Sequence, residues 1–88
     1  MACDEKVFSG VNAPKMTYVR AELRRLGLTV PDTDSGKITS AEIGVEAEFT
    51  WSAQAETLSI QIFQKPVFLP CAFIYGRLSQ SLKQYPGP

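Results

Sequence analysis

The chain contains no histidine. That absence excludes catalytic Ser-His and Cys-His pairs, histidine metal ligands and a histidine pH switch. Cysteine is scarce as well, because Cys3 and Cys71 are the only two, and two thiolates cannot complete a four-cysteine zinc site within one chain. We therefore expect no enzyme activity, no cofactor and no bound metal.

The sequence also lacks an excess of charge of one sign, since nine Lys and Arg residues balance nine Asp and Glu residues. A neutral chain has no general electrostatic attraction to nucleic acid or to an anionic membrane. Four basic residues of one predicted helix could contact phosphates, namely Lys15, Arg20, Arg24 and Arg25. Residues 37–56, however, carry one lysine against four glutamates and would oppose the approach of a nucleic acid. We do not expect nucleic acid as a partner.

No apolar run is long enough to cross a bilayer. The longest, residues 67–75, falls far short of the roughly 20 residues required, and the charged N-terminus lacks the apolar core of a secretory signal. These features predict a soluble, cytoplasmic protein with no membrane partner. In the reducing cytosol both cysteines would remain thiols, although in a mature secreted form they could bridge. We expect Cys3 to be exposed and without a role.

Apolar residues recur at three- and four-residue spacing in two segments, which predicts two amphipathic helices. Their apolar stripes are Met16, Val19, Leu23 and Leu26 in the first and Cys71, Ile74, Tyr75, Leu78 and Leu82 in the second. The first, over about 13–26, follows Asn12, a good N-cap, and stops before Gly27. The second, over about 70–83, begins at Pro70, a residue suited to a first helical turn. Cys71 falls on the apolar stripe of this helix and should be a buried core thiol. Residues 29–36 are turn-forming and predict a loop.

Two segments alternate polar and apolar residues with the period of a half-buried strand. They are residues 40–51 and 58–65. One antiparallel register satisfies every apolar position, because it pairs Trp51 with Leu58, Phe49 with Ile60 and Ala47 with Ile62. A long hairpin is therefore predicted. Residues 6–9 could add a short third strand.

The predicted fold is a single α+β domain over residues 1–88, with a small two-layer α-β-β-α arrangement. A hairpin alone is marginally stable, but the apolar stripes of the two helices could cover its apolar face.

The far face of that hairpin is the candidate interface. It would carry Phe63, a large apolar side chain outside the core, together with Gln61, Glu46 and Glu48. Either a partner or the tail beginning at Tyr85 could cover Phe63. Residues 58–64 carry no charge, so this strand could also pair at its edge with a second copy. The favoured function is a small non-catalytic protein-interaction or self-assembly module, with a homodimer or another protein as partner.

The alternative is a small thiol-dependent enzyme or ligand-binding protein that uses Cys71. The predicted helix begins there, and a helix N-terminus can lower the pKa of a thiol. A pocket would discriminate between the two functions. A chain of 88 residues without histidine or a glycine-rich motif has few ways to build one, so the composition favours the interaction module.

Overall fold

The computed structural model of the protein describes residues 3–40 and 42–84. Four strands and two helices follow one another along the chain in the order β1, α1, β2, β3, β4, α2. Their bounds are β1 Lys6–Phe8, α1 Ala13–Arg25, β2 Ser35–Ser40, β3 Val45–Ser52, β4 Thr57–Gln64 and α2 Cys71–Lys83. Both helices agree with the sequence prediction to within one residue at each end.

The strands form one antiparallel sheet in the order β1-β4-β3-β2. The predicted hairpin register is confirmed, since Trp51 lies opposite Leu58, Phe49 opposite Ile60, and Ala47 opposite Ile62. The short N-terminal strand also forms and pairs with β4. The α+β fold class is confirmed, with a four-stranded sheet in place of the expected two or three strands.

The predicted strand over residues 40–51 is wrong at its N-terminal end, because a turn divides it. Gly44 adopts a positive φ of 80° and donates its N–H to the Ser40 carbonyl oxygen at 2.8 Å, which reverses the chain. The residues before this turn, 35–40, form β2. The first two residues of β2 were predicted to belong to the loop over residues 29–36. Ile43 was expected on the buried face and instead lies exposed in the turn, while Ala41 lies outside the described residues.

The expectation that residues 58–64 form an exposed edge is also wrong. β4 lies inside the sheet, with β1 on one side and β3 on the other. Beyond β1 the N-terminal segment continues along β4, where the Cys3 N–H donates to the Ile62 carbonyl oxygen at 2.9 Å. The edges of the sheet are β1 and β2, so pairing with a second copy through β4 has no free ladder to use.

A disulfide joins Cys3 to Cys71, with their Cα atoms 5.7 Å apart. Cys3 is buried, contrary to the prediction of an exposed residue, and Cys71 is not a free core thiol. The bond attaches the N-terminal segment to the first residue of α2. Both cysteines therefore form a structural cross-link, whereas the sequence predicted free thiols in a reducing cytosol.

One face of the sheet and the apolar stripes of both helices form the core. α1 begins where the Asn12 side chain accepts a hydrogen bond from the Lys15 N–H at 3.0 Å, and it contributes Met16, Val19 and Leu23 to the interior. α2 contributes one buried residue, Leu78. The sheet supplies the largest share of the buried residues: Phe8, Ile38, Ala47, Phe49, Leu58, Ile60 and Ile62.

The basic side chains of α1 hold the loop between α1 and β2. The Arg24 guanidinium donates to the Val30 carbonyl oxygen and to the Asp32 carboxylate, the latter at 2.7 Å. Arg20 donates to the Thr33 carbonyl oxygen at 2.8 Å. These guanidinium groups, which the sequence suggested as phosphate contacts, are engaged in intramolecular hydrogen bonds.

No helix within residues 3–40 and 42–84 has both the length and the apolar character needed to span a bilayer.

Candidate functional site

A concave apolar cleft of about 360 Å³ lies between α1 and α2. Its floor is the helix-facing side of the sheet, where Ile38 on β2, Ala47 on β3 and Ile60 and Ile62 on β4 are all buried. These residues alternate with polar ones along their strands, and the pleat directs them all to one side. The floor is therefore continuous across three strands.

The helices form the walls. Val19, Leu23 and Leu26 lie three or four residues apart on α1, which places them on one side of that helix. Ile74 and Leu78 have the same relation on α2. The helices shield the floor residues from solvent, so the exposed part of the lining lies at the rim.

Apolar side chains extend from the cleft to the surface. Leu26 is 48% exposed and Phe73 is 55% exposed, and Ile43 of the β2–β3 turn is exposed beside them. Large apolar side chains that are both exposed and contiguous with a cavity are typical of binding sites. The cleft is therefore open to a molecule arriving from solvent.

Three polar residues complete the lining: Glu22 on α1, and Arg77 and Ser81 on α2. The Glu22 carboxylate forms an ion pair with Arg25 on its own helix. Within the described residues, Arg77 has no ion pair. The cleft is thus an apolar site with a small polar rim, as is usual for small-molecule sites.

The sequence-predicted interface residues lie elsewhere, on the side of the sheet away from the helices, which we call the open face. Glu48 lies directly opposite Gln61 in the β3–β4 register. Glu46 pairs with Gln64, which leaves Phe63 as the extra residue of a β-bulge. Phe63 is 50% exposed, as expected. The structure therefore brings the four predicted residues into one region.

Two features limit the use of this region as an interface. The Gln61 side-chain amide already donates to the Cys3 carbonyl oxygen. The β3 residues of this region, Glu46 and Glu48, are both charged. The tail proposed to cover Phe63, residues 85–88, lies outside the described residues.

Cys71 lies at the start of α2, near Leu69 and Phe73 of the cleft lining. Its sulfur is bonded to Cys3, so the thiolate of the alternative function is absent from the oxidised protein. The nearby Tyr75 hydroxyl donates to the Asp4 carbonyl oxygen at 2.6 Å. Burial raises the pKa of Tyr75 above its ordinary value. Tyr75 therefore serves, with the disulfide, to hold the N-terminal segment.

Charged groups near the α1–β2 loop do not form a metal site. Hydrogen bonding and the charge of Arg24 lower the pKa of Asp32, which keeps this carboxylate paired with the guanidinium. Among the described residues, no group of three or more Cys, Asp or Glu side chains is placed to hold a metal ion.

The sequence pattern identified several residues of the cleft lining, but it predicted them as core residues. Val19, Leu23, Ile74 and Leu78 were identified as the inner stripes of the helices, which they are. What the sequence does not encode in any local pattern is the distance between those stripes. The exposed Leu26 at the end of α1 was the available signal, because it extends the apolar stripe beyond what the core needs.

Comparison with known proteins finds no similarity to report: no family model matches the chain, and neither the curated proteins nor the solved structures yield a match.

Proposed function

We propose that the protein is a non-catalytic binding protein for a small apolar molecule, which it holds in the cleft between α1 and α2. The observation that carries this proposal is the cleft itself. Its volume of about 360 Å³ falls within the roughly 300–1,000 Å³ typical of ligand pockets, and 14 of its 17 lining residues are apolar. In the sequence-based prediction, the presence of a pocket distinguishes an enzyme or ligand-binding protein from an interaction module. The cleft therefore supports ligand binding.

The driving force is the removal of apolar surface from water. An extended ligand with about ten carbons would cover the exposed rim residues Leu26, Ile43 and Phe73, at about 25 cal/mol per Å² of apolar surface buried. The loss of translational and rotational freedom opposes this gain. We expect dissociation constants of about 1–100 μM for a simple ligand of this size.

The shape of the site favours a small molecule over a protein. A partner protein usually meets a flat surface of about 800 Å² per side, whereas this site is concave and its floor is fully buried. Binding of this kind requires no thiol, so it is compatible with the disulfide at Cys71.

The disulfide also bears on where the protein acts. Structural disulfides persist in oxidising compartments and are rare in the cytosol. The bond between Cys3 and Cys71 therefore supports an extracytoplasmic site of action in place of the cytoplasmic one expected from the sequence.

A pair of valine substitutions tests the proposal. Val45 lines the cleft, whereas Val7 lies exposed at the opposite side of the sheet, and both are in strands. Val45→Trp should fill part of the cleft and weaken binding of decanol, a neutral apolar probe, by at least about tenfold. Val7→Trp is the matched control and should bind decanol like the wild type. Isothermal titration calorimetry measures both.

The proposal is contradicted if wild-type protein does not bind decanol. It is also contradicted if Val45→Trp and Val7→Trp, both folded by circular dichroism, bind it equally well.

A second function is favoured by the exposed Phe63 on the open face, and we propose self-association through that face as the alternative. The uncharged aromatic ring and the adjoining Glu46, Glu48 and Gln61 would meet the same residues of a second copy around a two-fold axis. Sedimentation of wild type and Phe63→Ser at low and high salt tests it. Self-association is supported if the wild type is a dimer at both salt concentrations and Phe63→Ser is a monomer. It is contradicted if the wild type is a monomer at high micromolar concentration.

A further inference from the structure

Two polar residues of α2 at the cleft, Arg77 and Ser81, lie on the same side of the helix as Phe73. Phe73, Arg77 and Ser81 are four residues apart, so they occupy successive turns of the same side of the helix, and all three line the cleft. Along α2, the cleft lining is therefore apolar at Phe73, and the Arg77 guanidinium and the Ser81 hydroxyl follow on the next two turns. A ligand lying against this helix would meet both polar groups at one end of its contact.

Among the described residues, the Arg77 guanidinium has no counter-ion. The other charged residue of the lining, Glu22, is held by Arg25 in an ion pair on α1. In the described part of the chain, neither the Arg77 guanidinium nor the Ser81 hydroxyl has a hydrogen-bond partner. Donors at the edge of an apolar site remain available to an acceptor brought by the ligand.

The surrounding charge favours an anion. Residues 57–88 carry Lys65, Arg77 and Lys83 and no acidic residue, so no carboxylate of α2 competes for Arg77. A guanidinium binds a carboxylate through two parallel hydrogen bonds, and a serine hydroxyl can donate a third. A cationic head group would be repelled at the same place.

We propose that the cleft selects an amphiphile with a carboxylate head group, such as a medium-chain fatty acid. The carboxylate binds to Arg77 and Ser81, and the hydrocarbon chain lies along the exposed apolar lining residues Leu26, Ile43 and Phe73. This inference rests on the proposed function, since it names the class of ligand that the cleft takes.

Titration calorimetry with three probes of equal chain length tests the head-group selection: decanoate, decanol and decylammonium. Wild-type protein should bind decanoate about three- to tenfold more tightly than decanol, because charge-assisted hydrogen bonds at an exposed rim contribute modestly. Decylammonium should bind most weakly. Arg77→Gln should reduce the ratio of decanoate affinity to decanol affinity to about one, and Ser81→Ala should reduce that ratio by less.

Lys83→Gln is the matched control. It removes the same charge from the same helix at an exposed residue that does not line the cleft, so its affinity for decanoate should equal that of the wild type. Equal losses in Arg77→Gln and Lys83→Gln would indicate a general charge effect and overturn the inference. Equal binding of decanoate and decanol to wild type would overturn it too, while leaving the cleft as an apolar site. If none of the three probes binds, the proposed function fails together with the inference.

Discussion

Cys3 and Cys71 show most directly how single residues determine the stability of this small domain. Their bond joins positions 68 apart in the sequence, so it closes a loop over most of the chain. A cross-link of that length removes many conformations of the unfolded chain. A domain of this size buries a limited core, and the bond adds to the stability that the core supplies.

The double substitution Cys3→Ala/Cys71→Ala should lower the free energy of unfolding by about 4 kcal/mol, by the loop-entropy relation for a loop of this length. Urea denaturation measures the change. Reduction with dithiothreitol should lower wild type to a similar stability and should have no effect on the double variant. A difference below about 1 kcal/mol between wild type and the double variant would mean that the bond does not constrain the chain as described.

The disulfide could not be predicted from the residues alone. Two cysteines permit one intramolecular pair, but whether they meet depends on the tertiary position of the N-terminal segment beside β4. The absence of a secretory pattern also pointed to the cytosol, where thiols are the usual state. The positions of Phe63, Gln61, Glu46 and Glu48 were predictable, because strand periodicity determines which side of a sheet a residue occupies.

At the scale of elements, the hairpin of β3 and β4 organises the core. Phe49 and Ile60 lie opposite one another, both fully buried, between β1 and β2 at the two edges. The period-two pattern predicted this register because any one-residue slip would turn every apolar side chain to the open face. The same pattern continues through the turn at Gly44, and for that reason residues 40–44 were predicted as the start of the strand that is β3, while β2 itself was not predicted.

Phe49→Ala should lower the free energy of unfolding by about 2–5 kcal/mol, because it removes a large side chain from the interior and leaves a cavity. Glu46→Gln, on the same strand but exposed, should change it by less than about 0.5 kcal/mol. Equilibrium unfolding in urea compares the two. Similar small effects at both positions would contradict the assignment of the two faces.

At the scale of the whole molecule, the cleft lies where the two helices meet the sheet. The helices, each 13 residues and about 20 Å long, shield the floor residues, and the exposed apolar lining residues lie at the end of α1, in the β2–β3 turn and at the start of α2. The sequence predicted the two layers and the direction of each apolar stripe. It did not predict the cleft, because the position of the helices depends on how they pack across the whole sheet, and β2 was not foreseen.

Methyl-resolved NMR during a decanol titration tests whether a small apolar molecule binds between α1 and α2. We expect saturable chemical shift changes, at micromolar decanol, for methyl groups that line the cleft, such as those of Val19, Ile60 and Leu78. Methyl groups of the exposed Val7 and of the buried Val11, neither of which lines the cleft, should not shift. Shifts absent from the cleft methyls, or spread equally over both sets, would contradict binding between α1 and α2.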